Sequence, residues 1–189
     1  IYKLRPLLLH FDNGWNSELA ISNINSENIK NFLDPKIKNF LHNPLRFKDM
    51  DKGLNVVAKH LRKKSKICIF GDYDVDGATS SGIMSKYLGH LSIDHFVFIP
   101  DRQIDGYGPS VQTFENIIKK DVNLIIALDC GTTSFEAIDF AKSKNVDVIV
   151  IDHHKSQEIL PSANAVINPN RIDENGEYYY LCAAGVLFV

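Results

Sequence analysis

An open, mainly parallel α/β sheet with helices on both faces, preceded by a short helical N-terminal segment, is the fold this sequence predicts. Three observations carry that expectation. After about Lys66, short apolar runs alternate with helix-length amphipathic segments, the pattern of successive βαβ units. Four of those runs end in polar clusters, as strands do where an open α/β sheet turns its carboxyl ends toward a ligand. At 189 residues with 44% hydrophobic content, the chain is long and apolar enough for one proper core.

The elements follow in order. Residues 1–64 read as a basic, largely helical lead-in, with helices near Ser26–Phe40 and Met50–Lys63. Residues 1–66 hold 13 Lys+Arg against 6 Asp+Glu and residues 67–189 hold 8 against 17, so a net charge of −2 conceals +7 beside −9. Lys59, Arg62, Lys63, Lys64 and Lys66 gather at the end of the second helix. They either touch a phosphate backbone or form a solvated face whose positive last turn suits the helix dipole. Strands are predicted near Lys66–Phe70, His95–Ile99, Asn123–Leu128 and Asp147–Ile151, with a weaker one at Ala165–Ile167. Between them, Ala78–Leu88, Ser110–Lys119 and Phe135–Ser143 read as helices, and Ser80-Ser81-Gly82 offers the first of these small residues for close packing on the sheet. Asn170–Tyr179 reads as a mobile loop, and Tyr178-Tyr179-Tyr180 as rings that either stack bases or bury against the sheet edge.

The run from Gly71 to Ser80 sets Asp72, Asp74 and Asp76 at alternate positions after an apolar strand. If the chain stays extended there, the three carboxylates crowd on one side. Such crowding is costly without a counter-charge, and a divalent cation with oxygen ligands is the usual remedy. A calcium loop is excluded by spacing, because its twelfth position needs Glu and here holds Ile83. The other strand ends deliver Asp101 and Arg102, then Asp129 beside Cys130, then Asp152-His153-His154. Any one of these alone is also what a helix N-cap after a strand looks like.

These residues together resemble the DHH phosphoesterase superfamily, and within it the RecJ-like single-strand-specific exonucleases. The matching pieces run in order: Ile69 to Ser80, Pro100-Asp101-Arg102 with Gly106-Tyr107-Gly108, Leu128-Asp129-Cys130-Gly131, Ile151-Asp152-His153-His154, Asn168-Pro169, and Leu181 to Val186. Phe47 to Asp51 matches upstream, so the resemblance spans nearly everything from about Asn31 onward. Phe70 stands where other branches place a metal-binding His, which favours the RecJ-like branch.

The resemblance implies metal-dependent phosphodiester hydrolysis with two Mn²⁺ or Mg²⁺ ions, acting as a 5′-to-3′ exonuclease on single-stranded DNA in recombination and repair. A single-strand-binding protein and a helicase are the partners it implies. Asp74, Asp76, Asp129 and His153 are the implied metal ligands, with Asp129 bridging and Asp72 a ligand or close neighbour of one. Asp152 would orient an imidazole, His154 would contact phosphate or give a proton to the leaving group, and Arg102 would clamp the phosphate or else pair with Asp101 or Asp105. Other branches of the family leave two alternatives, a phosphodiesterase of small molecules or short oligonucleotides and a non-catalytic scaffold. Residues 65–189 correspond to the DHH domain, with the family's second domain and a later acidic ligand lying beyond them. The absent initiator Met and apolar ending suggest a processed or truncated chain. Cys68, Cys130 and Cys182 lack CxxC spacing and read as buried thiols of a reducing compartment, and Cys130 as no nucleophile. No apolar run reaches the roughly 18 residues needed to span a membrane, and the opening is too short in apolar residues for a signal peptide, so a cytoplasmic protein is expected.

Overall fold

The computed structural model describes residues 43–189 and, before them, Ile29, Leu33, Asp34, Lys36, Asn39 and Leu41. The helix read near Ser26–Phe40 falls largely outside the described residues. The chain divides into two units between His42 and Asn43, and everything below concerns the second. Its elements are α1 (Met50–Lys63), β1 (Ile67–Gly71), α2 (Val75–His90), β2 (His95–Phe98), α3 (Val111–Ile118), β3 (Leu124–Leu128), α4 (Phe135–Ser143), β4 (Asp147–Ile151), β5 (Ala165–Ile167) and α5 (Ala183–Phe188). The strands lie in the order β2-β1-β3-β4-β5 and every pairing is parallel.

A parallel sheet covered on both sides has no polar face, which is why β1 and β3 are buried at every position and read as continuous apolar runs. The pleat still sorts the side chains. Ile67, Ile69, Leu124, Ile126, Ile149 and Ile167 join Met50 of α1, Met84 and Leu88 of α2 and Val186 of α5. Cys68, Phe70, Ile125, Val148 and Val166 meet Phe114 and Ile117 of α3 and Ala137, Ile138 and Ala141 of α4 on the other face. Each fully buried Ile, Leu or Phe stabilises by about 1.5–3 kcal/mol relative to exposure. Phe70 packs at 5.5 Å from Phe98 and 5.7 Å from Phe114, on the α3/α4 face.

Four readings of the sequence change here. First, α1 belongs with the sheet rather than with a separate lead-in, because Met50 is core and Gly53 lies so close to β5 that an added Cβ would sit 2.8 Å from Ile167 Cδ1. The end of α1 lies where β4 begins: Lys59 Nζ and His60 Nε2 reach Asp147 Oδ2 at 2.7 and 2.8 Å. The basic cluster therefore sits at the amino edge of the sheet, opposite the strand ends that carry the acids. Second, Ser80 and Ser81 are buried as read, but the third small residue, Gly82, takes no part in the close packing of α2, which falls also on Gly71 and Gly77: a Cβ on Gly71 would meet Ser81 Oγ, one on Gly77 the Asp72 backbone, and one on Gly82 nothing within 4 Å. Third, the segment read as a mobile loop is tied down, since Arg171 bonds Asp49 Oδ2 at 2.7 Å and Val166 O at 2.6 Å and pairs with Asp173. Within it Tyr178 is buried against Phe47, while Tyr179 and Tyr180 are exposed. Fourth, Cys68 and Cys130 are buried as read, but Cys182 is exposed at the start of α5. That six-residue helix is too short for periodicity to reveal it.

The topology fixes the place of the site. β2 lies to one side of β1 and β3 to the other, so the chain reverses its winding between β1 and β3. A crevice opens at the carboxyl ends of strands at such a switch point. Asp72 follows β1 there and Asp129 follows β3.

Candidate metal centre

Asp129 lies at the middle of the crevice. It follows β3 directly, is wholly buried, and adopts φ 61°, a left-handed conformation costing an Asp on the order of 1 kcal/mol. Its N–H donates to Ile151 O at 2.9 Å, which continues the sheet pairing past the strand end and holds the turn. Neither carboxylate oxygen accepts a hydrogen bond of good geometry, although Asp74 and His153 Nε2 lie against them. A buried, unpaired carboxylate is so costly that it is held neutral or paired with a cation. Without a cation, burial first, and then the negative charges of Asp76 and Asp74, push its carboxyl up to about 8.

Around Asp129 the potential ligand atoms fall into two groups that share it. Asp72, Asp74 and Asp129 form one and Asp129, His153 and His154 the other, with ligand atoms in each group within 4.8 Å of one another. His153 Nε2 lies 3.3 Å from Asp129 Oδ1 and 3.6 Å from Asp76 Oδ2. Two acidic and imidazole groups meeting at a carboxylate with both oxygens open suit hard divalent ions that favour oxygen and nitrogen. The donor set thus fits Mn²⁺ or Mg²⁺, and no thiolate takes part: Cys130 donates to Leu128 O and burial raises its thiol well above the ordinary range.

The three acids of the first cluster do not stand in a row on a strand. β1 stops at Gly71, and α2 begins at Val75, three residues before the sequence reading placed it. Asp72 is buried, accepts from Tyr73 N at 2.8 Å, and has its carboxyl raised by burial. Asp74 caps α2, accepting from Gly77 N at 2.9 Å, and that bond lowers its carboxyl. Asp76 in the first turn aims elsewhere: Oδ2 and Oδ1 accept from Ala183 N at 2.7 Å and Ala184 N at 2.9 Å. It thereby caps α5, whose own N-cap Cys182 supplies no side-chain bond. Asp76 borders the centre through His153 but belongs to neither ligand group among the described residues.

Asp152 is the organiser of the histidine pair. Buried at the end of β4, it accepts from the N–H groups of His153 (2.7 Å) and His154 (3.2 Å), from His154 Nδ1 (2.7 Å), and from Thr132 N (3.1 Å). Burial opposes its charge, but the His154 and Thr132 bonds prevail and hold its carboxyl at about 2. The same bond raises His154 to about 9, so in the metal-free protein its ring is an imidazolium at neutral pH. His154 Nε2 faces Tyr107 Oη at 3.4 Å, and a cavity of about 650 Å³ opens beside it between Tyr107, Thr132, Ser134 and Lys155. Gly106 and Gly108, at φ 81° and 71°, make the turn that presents Tyr107.

Arg102 pairs with neither Asp101 nor Asp105. Those two acids bind their own loop, Asp105 accepting from Asp101 N and Asp101 from Gln103 N. The guanidinium instead lies 5.5 Å from the Tyr73 ring centroid. Tyr73 meets Tyr107 edge-on at 6.4 Å, so Arg102, Tyr73, Tyr107 and His154 form a continuous rim. The sequence reading passed over Tyr73, Thr132, Asn168 and Asn170 as site residues. For Asn168 a signal existed in Asn168-Pro169, and for Thr132 in its place two residues after Cys130.

Comparison with known proteins agrees with this geometry. The model of the DHH family, N-terminal domain, matches residues 66–189. The chain is 34% identical over 163 residues to the single-stranded-DNA-specific exonuclease RecJ of Bacillus subtilis, covering 86% of this chain and 21% of that protein. It is 36% identical over 159 residues to the RecJ of Haemophilus influenzae, covering 82% and 27%. Among solved structures, the exonuclease RecJ bound to manganese superposes with a TM-score of 0.71 at 28% identity, covering 78% of this chain and 37% of that one. The chain thus spans about a quarter of the length of the curated relatives it matches.

Proposed function

The chain belongs to the DHH family, and from that premise we propose that it is the metal-binding wall of a 5′-to-3′ exonuclease of single-stranded DNA, active in recombination and repair. The observation that carries the reading is Asp129, buried with two open oxygens between two groups of ligand atoms. Asp72 and Asp74 on one side and His153 on the other would hold Mn²⁺ or Mg²⁺ with it, Asp76 bordering the centre beside His153. Two such ions supply Lewis-acid polarisation of a phosphodiester and a water nucleophile at neutral pH.

The chain's own groups do the rest. His154, whose Nδ1 is held by Asp152, presents Nε2 toward the open cavity, where it would give a proton or a hydrogen bond to a leaving oxygen. Arg102, braced over Tyr73, presents its planar fork to a phosphate at the rim. The exposed rings of Tyr73 and Tyr107 offer faces to unstacked bases. The reading takes residues 43–189 as one wall of the cleft, with a second domain as the other. A single-strand-binding protein and a helicase supply its substrate, and the cytoplasm is its compartment; no described helix is long and apolar enough to cross a membrane.

The test is hydrolysis, by a longer chain carrying the second domain, of 5′-end-labelled and 3′-end-labelled single strands with Mn²⁺, against blunt duplex and a cyclic dinucleotide. Degradation from the 5′ end of the single strand alone is the expected result. Preferential hydrolysis of the cyclic dinucleotide would overturn the substrate assignment.

A further inference from the structure

The segment after β5 reaches back under the histidine pair, and we infer that Asn168 and Asn170 are positioning residues that hold His153 against Asp129 and His154 against Asp152. The inference rests on the reading of the metal centre given above. Asn168 is fully buried and every polar atom of its carboxamide is used. Nδ2 donates to His154 O at 2.8 Å and to Thr132 Oγ1 at 2.9 Å, and Oδ1 accepts from Asn170 N at 2.8 Å. Asn170 Nδ2 in turn donates to His153 O at 2.5 Å.

Two carboxamides two residues apart thus bind the carbonyls of two consecutive histidines. Those carbonyls lie past the end of β4, where no ladder partner fixes the peptide planes. Holding both planes sets where each Cα–Cβ bond points, and so where His153 Nε2 meets Asp129. Asn168 also grips Thr132, whose N–H binds Asp152, which orients the His154 ring. One side chain therefore touches both ends of the Asp152–His154 pair.

The brace has its own anchor. Arg171, with a side chain 7% exposed, joins Asp49 at the head of α1 to Val166 O and Asp173. The segment is accordingly fixed to the head of α1 and to β5 as well as to the histidine pair. A buried Asn serving only to satisfy polar atoms would affect stability alone. A positioning Asn affects the ring geometry in folded protein, and partners one step removed from a metal typically change its affinity by about 10- to 100-fold when removed.

The experiment compares Asn170→Ala and Asn168→Asp with Asn175→Ala, an exposed residue of the same segment that touches no histidine. Mn²⁺ affinity is read by calorimetry, and folded fraction in chelator by urea titration. Imidazole ¹⁵N spectra of the metal-free proteins give the ring environment independently. We expect Mn²⁺ affinity about 10- to 100-fold weaker in the first two variants under conditions where all three are fully folded, with shifted His153 and His154 ring signals. Affinity within threefold of Asn175→Ala, or a loss that merely follows the unfolded fraction, overturns the inference. If the unaltered chain binds no Mn²⁺, the reading of the centre fails instead. The ring spectra then decide the brace, shifted signals in Asn170→Ala sustaining it and unshifted ones refuting it.

Discussion

Two glycines of the same helix should respond oppositely to one added methyl group. Gly77 lies in the first turn of α2, and a Cβ there would stand 2.4 Å from Asp72 O and 2.6 Å from Asp72 C and N. Ordinary contact begins near 3.4 Å, so the turn and the Asp72 peptide must part by 3.4 minus 2.4, about 1 Å. All three atoms are backbone, and no flexible chain end can yield. Gly82, five residues later, has nothing within 4 Å of its would-be Cβ. Helix propensity alone favours Ala over Gly by about 1 kcal/mol in a helix interior. At Gly82 that gain stands, and Gly82→Ala should stabilise by about 0.5–1 kcal/mol. At Gly77 overpacking costs roughly 1–3 kcal/mol and the separation also pulls Gly77 N from Asp74 Oδ1, so Gly77→Ala should destabilise by about 1–2 kcal/mol. The same separation carries Asp72 and Asp74 away from Asp129, where ligand distances tolerate only about 0.2 Å. Urea unfolding in chelator gives the stabilities and calorimetry with Mn²⁺ gives the affinity, which should fall at least about tenfold in Gly77→Ala alone. Equal stability of the two variants with unchanged Mn²⁺ binding would refute both the packing argument and the placement of Asp72 and Asp74 at the centre.

Three further outcomes are expected. Asp129→Asn should abolish most Mn²⁺ binding, as a shared ligand must. It should also flatten the pH dependence of metal-free stability: Asp129 keeps a proton to about 8 when folded against 3.8 unfolded, so stability falls as pH rises through that window, and urea midpoints in chelator from pH 4 to 8 follow it. Arg171→Ala takes from Asp49 one of its two cationic partners and from Val166 O its side-chain donor, and should cost about 1–3 kcal/mol. Despite partial burial, Lys52 and Arg171 lower the Asp49 carboxyl, so its contribution is present above the unfolded value near 3.8 and lost as pH falls below it. Acid titration of the variant should show a shallower loss. Finally, this chain should bind Mn²⁺ yet degrade a 5′-labelled strand several orders of magnitude more slowly than a longer chain carrying the second domain, because positioning supplies roughly 7–11 kcal/mol of such barriers. Equal rates would mean that this chain alone carries the whole catalytic apparatus.

Much of this architecture was legible in the linear sequence because it is periodic. Strands buried on both faces must be apolar runs, crossover helices must be amphipathic, and a parallel sheet gathers its carboxyl ends at one edge. The acids after β1, the single acid after β3 and the Asp-His-His after β4 could therefore be assigned to one crevice before any coordinate was known. Residue types alone also pointed to oxygen- and nitrogen-preferring ions, since the cysteines fall in no ligand spacing.

What the periodicities could not carry was direction and long-range partnership. Asp72, Asp74 and Asp76 look equivalent on an extended chain, but α2 starts at Val75 and rotates them apart, so one is buried, one caps its own helix and one caps α5 more than a hundred residues away. Glycines 77 and 82 are alike in sequence and opposite in surroundings. Arg171 falls in the segment read as a loop and Asn168 in a matched Asn-Pro pair, yet their partners at Thr132, His154 and Asp49 meet them only when the sheet is assembled. Local sequence determined which residues reach the crevice, because strand and helix periods are local. Only the folded packing decided which of them keep open oxygens and which spend them on backbone N–H groups, because that depends on neighbours far away along the chain.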